Sequence, residues 1–140
     1  MLLRKGDVML LNCLVVSCGG FVWSILRYLV GNAVPASSFP WATLAVNVVG
    51  SFALAAIAGL VPRGVVPDGG LSLMLRVGLC GGFTTMSTFS LEVVDLTSRG
   101  AWLGAVGYAL ATCALCVAAA MAGGALVSGT GDVFFVPPTD

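Results

Sequence analysis

Apolar residues in this chain gather into four long runs, at about residues 8–30, 40–61, 71–96 and 101–127, with short links between them. An α-helix needs ~20 mostly apolar residues to cross a hydrocarbon core, and each run is that long. The pattern predicts an all-α protein, one integral-membrane domain of four spans over residues 1–127. The links Gly31–Phe39, Pro62–Gly70 and Thr97–Gly100 each carry Pro, Gly or Ser, which end helices and turn the chain. Residues 128–140 include Pro137 and Pro138, are too polar to span, and read as a C-terminal tail. Arg4 and Lys5 ahead of the first run imitate a secretory signal. Asp7 interrupts that basic stretch, however, and the run continues through Trp23 and Leu29, so a retained first helix is the better reading.

Composition agrees with a lipid setting. Only 9% of the 140 residues are charged and 59% are hydrophobic, whereas a soluble domain carries about 25% charged residues to face water. Mean hydropathy is +1.06. Six acids balance six bases, so there is no basic stripe to neutralise a phosphate backbone, and a nucleic-acid partner is excluded. The absence of histidine removes His-ligated metals and Ser-His or Cys-His catalysis; nothing here points to an enzyme. Five cysteines, Cys13, Cys18, Cys80, Cys113 and Cys116, lie inside apolar runs, which is no disulfide framework. Cys113 and Cys116 form a C-x-x-C, but among Ala, Leu and Val they read as small packing side chains. Basic residues set only a weak orientation. Arg4, Lys5, Arg63 and Arg76 fall on one side and Arg27 and Arg99 on the other, which leans toward cytoplasmic termini and also permits insertion both ways round.

The third run departs from an ordinary span. From Gly78 to Ser90 it holds three glycines and five hydroxyl residues near mid-membrane. Adjacent Gly81 and Gly82 weaken the helix, and the threonines after them can bond the backbone that a break would free. Such backbone survives in a membrane only inside protein or beside a wet cavity, and its carbonyls are hard ligands for a small cation. Alternatively, Gly78-x-x-x-Gly82 simply lets helices approach closely. In the second run Thr43, Asn47 and Ser51 recur every four residues beside Gly50, and Tyr108 and Thr112 do so in the fourth. A hydroxyl can satisfy itself on its preceding turn, but the Asn47 carboxamide must face protein or water. A wettable track of neutral donors results, and neutral donors suit an anion better than a cation. Met86 and Phe89, three apart, either pack in the core or turn a phenyl edge toward that anion.

These residues carry a family likeness. Gly81-Gly82-Phe83-Thr84-Thr85-Met86-Ser87-Thr88-Phe89-Ser90 with Glu92 resembles the third-span signature of the Fluc (CrcB-type) fluoride-specific channels. Thr43-Leu44 followed by Asn47-Val48-Val49-Gly50-Ser51 resembles their second span, and Gly19-Gly20 with Arg27-Tyr28 their first. The resemblance implies an antiparallel, dual-topology homodimer in a bacterial or archaeal plasma membrane, with pores along the subunit interface. It implies a passive channel that lets fluoride leave the cell, and a structural Na⁺ at the dimer centre held by the Gly81 and Thr84 carbonyls. It places Asn47, Met86 and Phe89 in the fluoride pore, with Thr43, Ser87, Thr88, Tyr108 and Thr112 lining it or adjacent.

Three positions depart from the family pattern. Met86 stands where a phenylalanine is usual, which is expected to alter rate more than function. Trp23 and Ala42 stand at glycine positions, and Trp23 bears on packing near Gly20. Arg27 and Glu92 lie near the ends of their spans, where they either snorkel to the interface or pair locally; Arg27 could also draw anions to a vestibule. Two other functions stay open at this point. A proton-coupled exporter would need an acid on its path, for which Glu92 is the candidate, and a structural subunit would use its polar face only for packing.

Overall fold

The computed structural model describes residues 5–35 and 37–128; Arg4 and the tail beyond residue 128 lie outside the described residues. Four helical stretches are long and apolar enough to cross a membrane, and the described residues contain no strand. Helix α1 is Lys5–Ala33 and α2 is Trp41–Leu60. The third span runs from Gly70 to Ser98 but is not one helix. It begins as α3 (Gly70–Leu73), widens into a π-helical segment (Met74–Gly78), and returns to α4 (Leu79–Gly82). Phe83 closes α4, its N–H donating to the Leu79 carbonyl at 3.0 Å; Thr84 and Thr85 then interrupt the helix, and α5 (Met86–Ser98) restarts the span. The fourth span is α6 (Trp102–Ser128).

Glycine explains where the first and third spans meet. A Cβ on Gly78 would lie 2.7 Å from the Gly19 Cα and 2.8 Å from its carbonyl carbon. One turn later, a Cβ on Gly82 would lie 2.7 Å from the Gly20 oxygen and 2.9 Å from the Trp23 Cβ. The two backbones are therefore in van der Waals contact, the close approach that small residues permit in lipid. Trp23 does not disturb this crossing. Its ring turns edge-on to Phe83, with centroids 5.5 Å apart at 65°, and fills the space beside the break.

Helix α2 packs along α6, and α5 also lies against α6. A Schellman turn closes the α5–α6 hairpin. Gly100 has φ +77°, Ala101 N–H donates to the Leu96 carbonyl at 2.9 Å, and Gly100 N–H donates to Thr97 at 3.0 Å. Two apolar clusters result, Leu44 with Phe89 and Tyr108, and Val46 with Leu79 and Phe83. Helix α2 contributes to both, and the break in the third span lies between them. Leucines and methionines on the outer faces of α1 and α6, such as Met9, Leu10, Leu103 and Met121, stay exposed, as lipid-facing side chains do.

Since backbone opposes backbone at the first crossing, Gly78→Ala should force the two spans apart. We expect a loss of about 1–3 kcal/mol, seen as a lower unfolding temperature in detergent, whereas Gly6→Ala, with open space around its Cβ, should leave that temperature unchanged.

Candidate functional site

The break exposes peptide groups at mid-membrane, and the side chains around it answer them one by one. Asn47 of α2 does so in both directions. Its Oδ1 accepts from the Thr85 N–H at 2.8 Å, and its Nδ2 donates to the Thr85 carbonyl at 3.3 Å. The Thr85 hydroxyl caps α5 by accepting from the Thr88 N–H at 3.2 Å and donates to the Thr88 hydroxyl at 2.9 Å. Thr84 donates its hydroxyl back to the Cys80 carbonyl at 2.6 Å. Arg27 Nε donates to the Gly82 carbonyl at 3.1 Å. Arg27 is thus tied to the end of α4, the local pairing rather than a free side chain. Gly50 lets α2 come this near: a Cβ there would lie 2.5 Å from Thr84 Cγ2.

Glu92 also pairs inside the protein. Its Oε1 accepts from the Thr43 hydroxyl at 2.6 Å and its Oε2 from the Tyr108 hydroxyl at 2.7 Å, so one carboxylate joins α2, α5 and α6. Tyr108 and Thr43 are buried, and both hydroxyls are committed to Glu92. The polar residues expected on a single track are therefore sorted into two hollows. One, of about 240 Å³, is lined by Asn47, Ser51, Thr84, Met86, Phe89 and Thr112 together with Leu54 and three cysteines; none of these residues is charged. The other, of about 340 Å³, is lined by Arg27, Thr43, Thr85 and Thr88 with Tyr28, Gly31 and their neighbours. Ser87 is exposed, its hydroxyl 3.4 Å from that of Thr85.

Phe89 belongs both to the core and to the wall of the uncharged groove. Its ring packs on Tyr108, centroids 5.2 Å apart, while also lining the groove. Met86 is 71% exposed on the same wall. The Thr112 hydroxyl oxygen is buried without a hydrogen-bond partner among the described residues, a donor available to whatever occupies the groove. The cysteines also have a place at this groove. Cys80, Cys113 and Cys116 line this groove and all five cysteines are free. Cys116 lies four residues after Thr112 and so shares its face; local apolar sequence concealed that. Thr85, the partner of Asn47, was not singled out from sequence, although its place three residues before Thr88 is that of an N-cap.

Cation ligands also emerge from the break. Among the described residues no three His, Cys, Asp or Glu side chains converge on a metal position, so carbonyl oxygens are the donor set to consider. In a continuous helix, Gly81 O would accept from Thr85 N–H and Thr84 O from Thr88 N–H. The first amide goes to Asn47 and the second to the Thr85 hydroxyl. Those two carbonyls are thus without their helical donors, and neutral carbonyl oxygens are the donor type that a small hard cation such as Na⁺ would take.

Comparison with known proteins adds a family. The chain matches the family model described as "CrcB-like protein, Camphor Resistance (CrcB)" over residues 14–124. It is 42% identical over 120 residues to a protein of Agrobacterium fabrum named "Fluoride-specific ion channel FluC", covering 84% of this chain and 96% of that one. A protein of the same name from Rhizobium leguminosarum bv. trifolii is 42% identical over 117 residues, covering 81% and 94%. "Fluoride-specific ion channel FluC 2" of Nocardia farcinica is 43% identical over 120 residues, covering 84% and 81%.

Removal of the side chain that serves the Thr85 peptide should be felt in stability. Asn47→Ala leaves a part-buried N–H and C=O unpaired, and we expect a loss of about 1–3 kcal/mol, read as a fall in the unfolding temperature of the detergent-solubilised protein.

Proposed function

Because this chain belongs to the CrcB-like family, we propose that it is a fluoride-selective passive channel that lets fluoride leave the cell down its electrochemical gradient and so lowers cytoplasmic fluoride. It is an ion channel and not an enzyme, a multi-pass protein of a bacterial inner membrane. The observation that carries the proposal is the uncharged groove at the break, lined by Asn47, Ser51 and the Phe89 ring, with the buried Thr112 hydroxyl unpaired among the described residues. Fluoride is small and strongly hydrated, so a pathway for it must offer donors in place of water while holding it loosely enough for release. Hydroxyl and ring-edge contacts do this without a fixed charge in the groove.

An antiparallel homodimer completes the design. The groove is open on one side in a single chain, and Met86 faces outward on its rim; a second copy supplies the missing wall. The weak bias of basic residues suits insertion in both orientations. Two carbonyls from each subunit, Gly81 and Thr84, would hold Na⁺ between the copies. Bound there, the ion supplies fixed positive charge that raises anion occupancy nearby. Asn47 holds the carbonyl-bearing loop in place, and Arg27 holds the end of α4 that precedes it. Glu92 has both oxygens occupied by hydroxyl donors, which argues against its use as a travelling proton carrier.

Reconstituted protein should pass fluoride from loaded liposomes with chloride largely retained, measured side by side with ion-selective electrodes, and a pH gradient should neither drive the flux nor collapse with it. Proton-driven flux abolished by Glu92→Gln would establish an exporter instead. Placing negative charge at the groove with Asn47→Asp should cut fluoride efflux on the order of a hundredfold; normal efflux would put the path elsewhere.

A further inference from the structure

A third hollow lies toward the α2–α3 loop, away from the break. It measures about 520 Å³ and is lined by Asn12 of α1, Asp68 of the loop, and Ser72, Arg76 and Cys80 of the third span, among others. Leu54 and Cys80 line this hollow and the uncharged groove alike, so the two spaces adjoin through those side chains. Ser72 is 3% exposed. Among the described residues, neither its hydroxyl nor the half-buried Arg76 guanidinium has a hydrogen-bond or ion-pair partner. An unpaired guanidinium and the unpaired hydroxyl of a buried serine face one cavity, beside Asn12 and Asp68, and both are donors to which an anion is the complement.

The third span shows how such an anion would move inward. Ser72, Arg76, Cys80 and Thr84 follow one another at intervals of four residues, and the first three line the outer hollow while the last two line the groove. In an α-helix a four-residue step overshoots a full turn by about 40°, so such a row would drift off its face. The π segment Met74–Gly78, whose hydrogen bonds reach one residue further, holds more residues per turn and takes back part of that drift. Each step advances about 6 Å, so the row covers about 18 Å of depth.

We propose that the hollow at Arg76 is an entry site for the conducted anion, from which the row Ser72–Arg76–Cys80–Thr84 leads to the mid-membrane groove. This rests on the fluoride-channel reading. Asp68 shares the hollow, but its Oδ1 accepts from the Gly69 N–H at 2.9 Å, and it precedes the first helical residue. It is exposed and lies outside the helical span, where water and salt screen it. Arg76 acts deeper, where screening is weaker, and raises the local concentration of anions as a charged cleft does.

The test compares Arg76→Gln and Arg76→Lys with the unmodified protein in phosphatidylcholine vesicles. At ~10 mM ionic strength, where the Debye length is ~30 Å, Arg76→Gln should slow fluoride efflux on the order of tenfold. At ~1 M, where that length is ~3 Å, efflux should approach the unmodified rate, and Arg76→Lys should stay near it throughout. Equal efflux by Arg76→Gln at low ionic strength overturns the proposal. So does a deficit that appears only in vesicles containing anionic lipid, because the guanidinium then serves a lipid phosphate. Cys80, one turn deeper, gives a readout independent of conduction. Sulfonatoethyl and trimethylammonioethyl methanethiosulfonates each form a mixed disulfide with its thiol, releasing methanesulfinate, and peptide mass spectrometry locates the product. The preference for the anionic reagent should fall several-fold in Arg76→Gln, and an unchanged preference overturns the proposal. If the unmodified protein carries no fluoride but this preference still depends on Arg76, the anion entry site stands and the fluoride reading fails.

Discussion

A peptide group left bare in hydrocarbon is unfavourable by several kcal/mol, and the subunit is organised around meeting that constraint at Thr85. The chain leaves helical geometry there because Gly82 ends α4 against the α1 backbone and Thr85 begins α5 as its cap. One carboxamide, that of Asn47, then accepts from and donates to the same peptide. Diverting the Thr85 amide is what leaves the Gly81 carbonyl without its helical donor. The interaction that makes the break tolerable thus also frees a carbonyl of its helical partner.

Charged groups are arranged to keep that groove neutral. Glu92 draws the Thr43 and Tyr108 hydroxyls away from the break and locks three helices with them. Arg27 spends its Nε on a backbone carbonyl. Both charges lie within the protein, but none of the side chains lining the 240 Å³ groove is charged. Hydroxyls, thiols, a thioether, a carboxamide and a phenyl ring remain as the polar and polarizable groups of that wall.

Much of this was legible in the sequence, for identifiable reasons. Four apolar runs fixed the number of spans because a bilayer imposes one length scale on every helix. Paired glycines followed by threonines announced the break because each feature acts within a turn or two of itself. The polarity of Asn47 required a partner, but that this was the Thr85 peptide, 38 residues away, had no local signature. The same holds for Glu92, whose partners lie 49 and 16 residues off; position near a span end gave no choice between solvent and pairing. The π segment has no compositional mark, and its register places Arg76 and Cys80 along one wall. Cysteines among Ala and Leu looked like filler because periodicity shows which residues share a face, not what that face meets.

The tie between Arg27 and Gly82 joins residues 55 apart, and translation makes them at different times. When the first helix enters the bilayer, its guanidinium has no carbonyl to meet, since the segment that supplies one has yet to be synthesised. Until then the guanidinium lacks the partner it has in the finished subunit. Arrival of the third span supplies that carbonyl together with the glycines of the crossing. Final placement of the first helix is therefore a late event in biogenesis, although it is the first helix made.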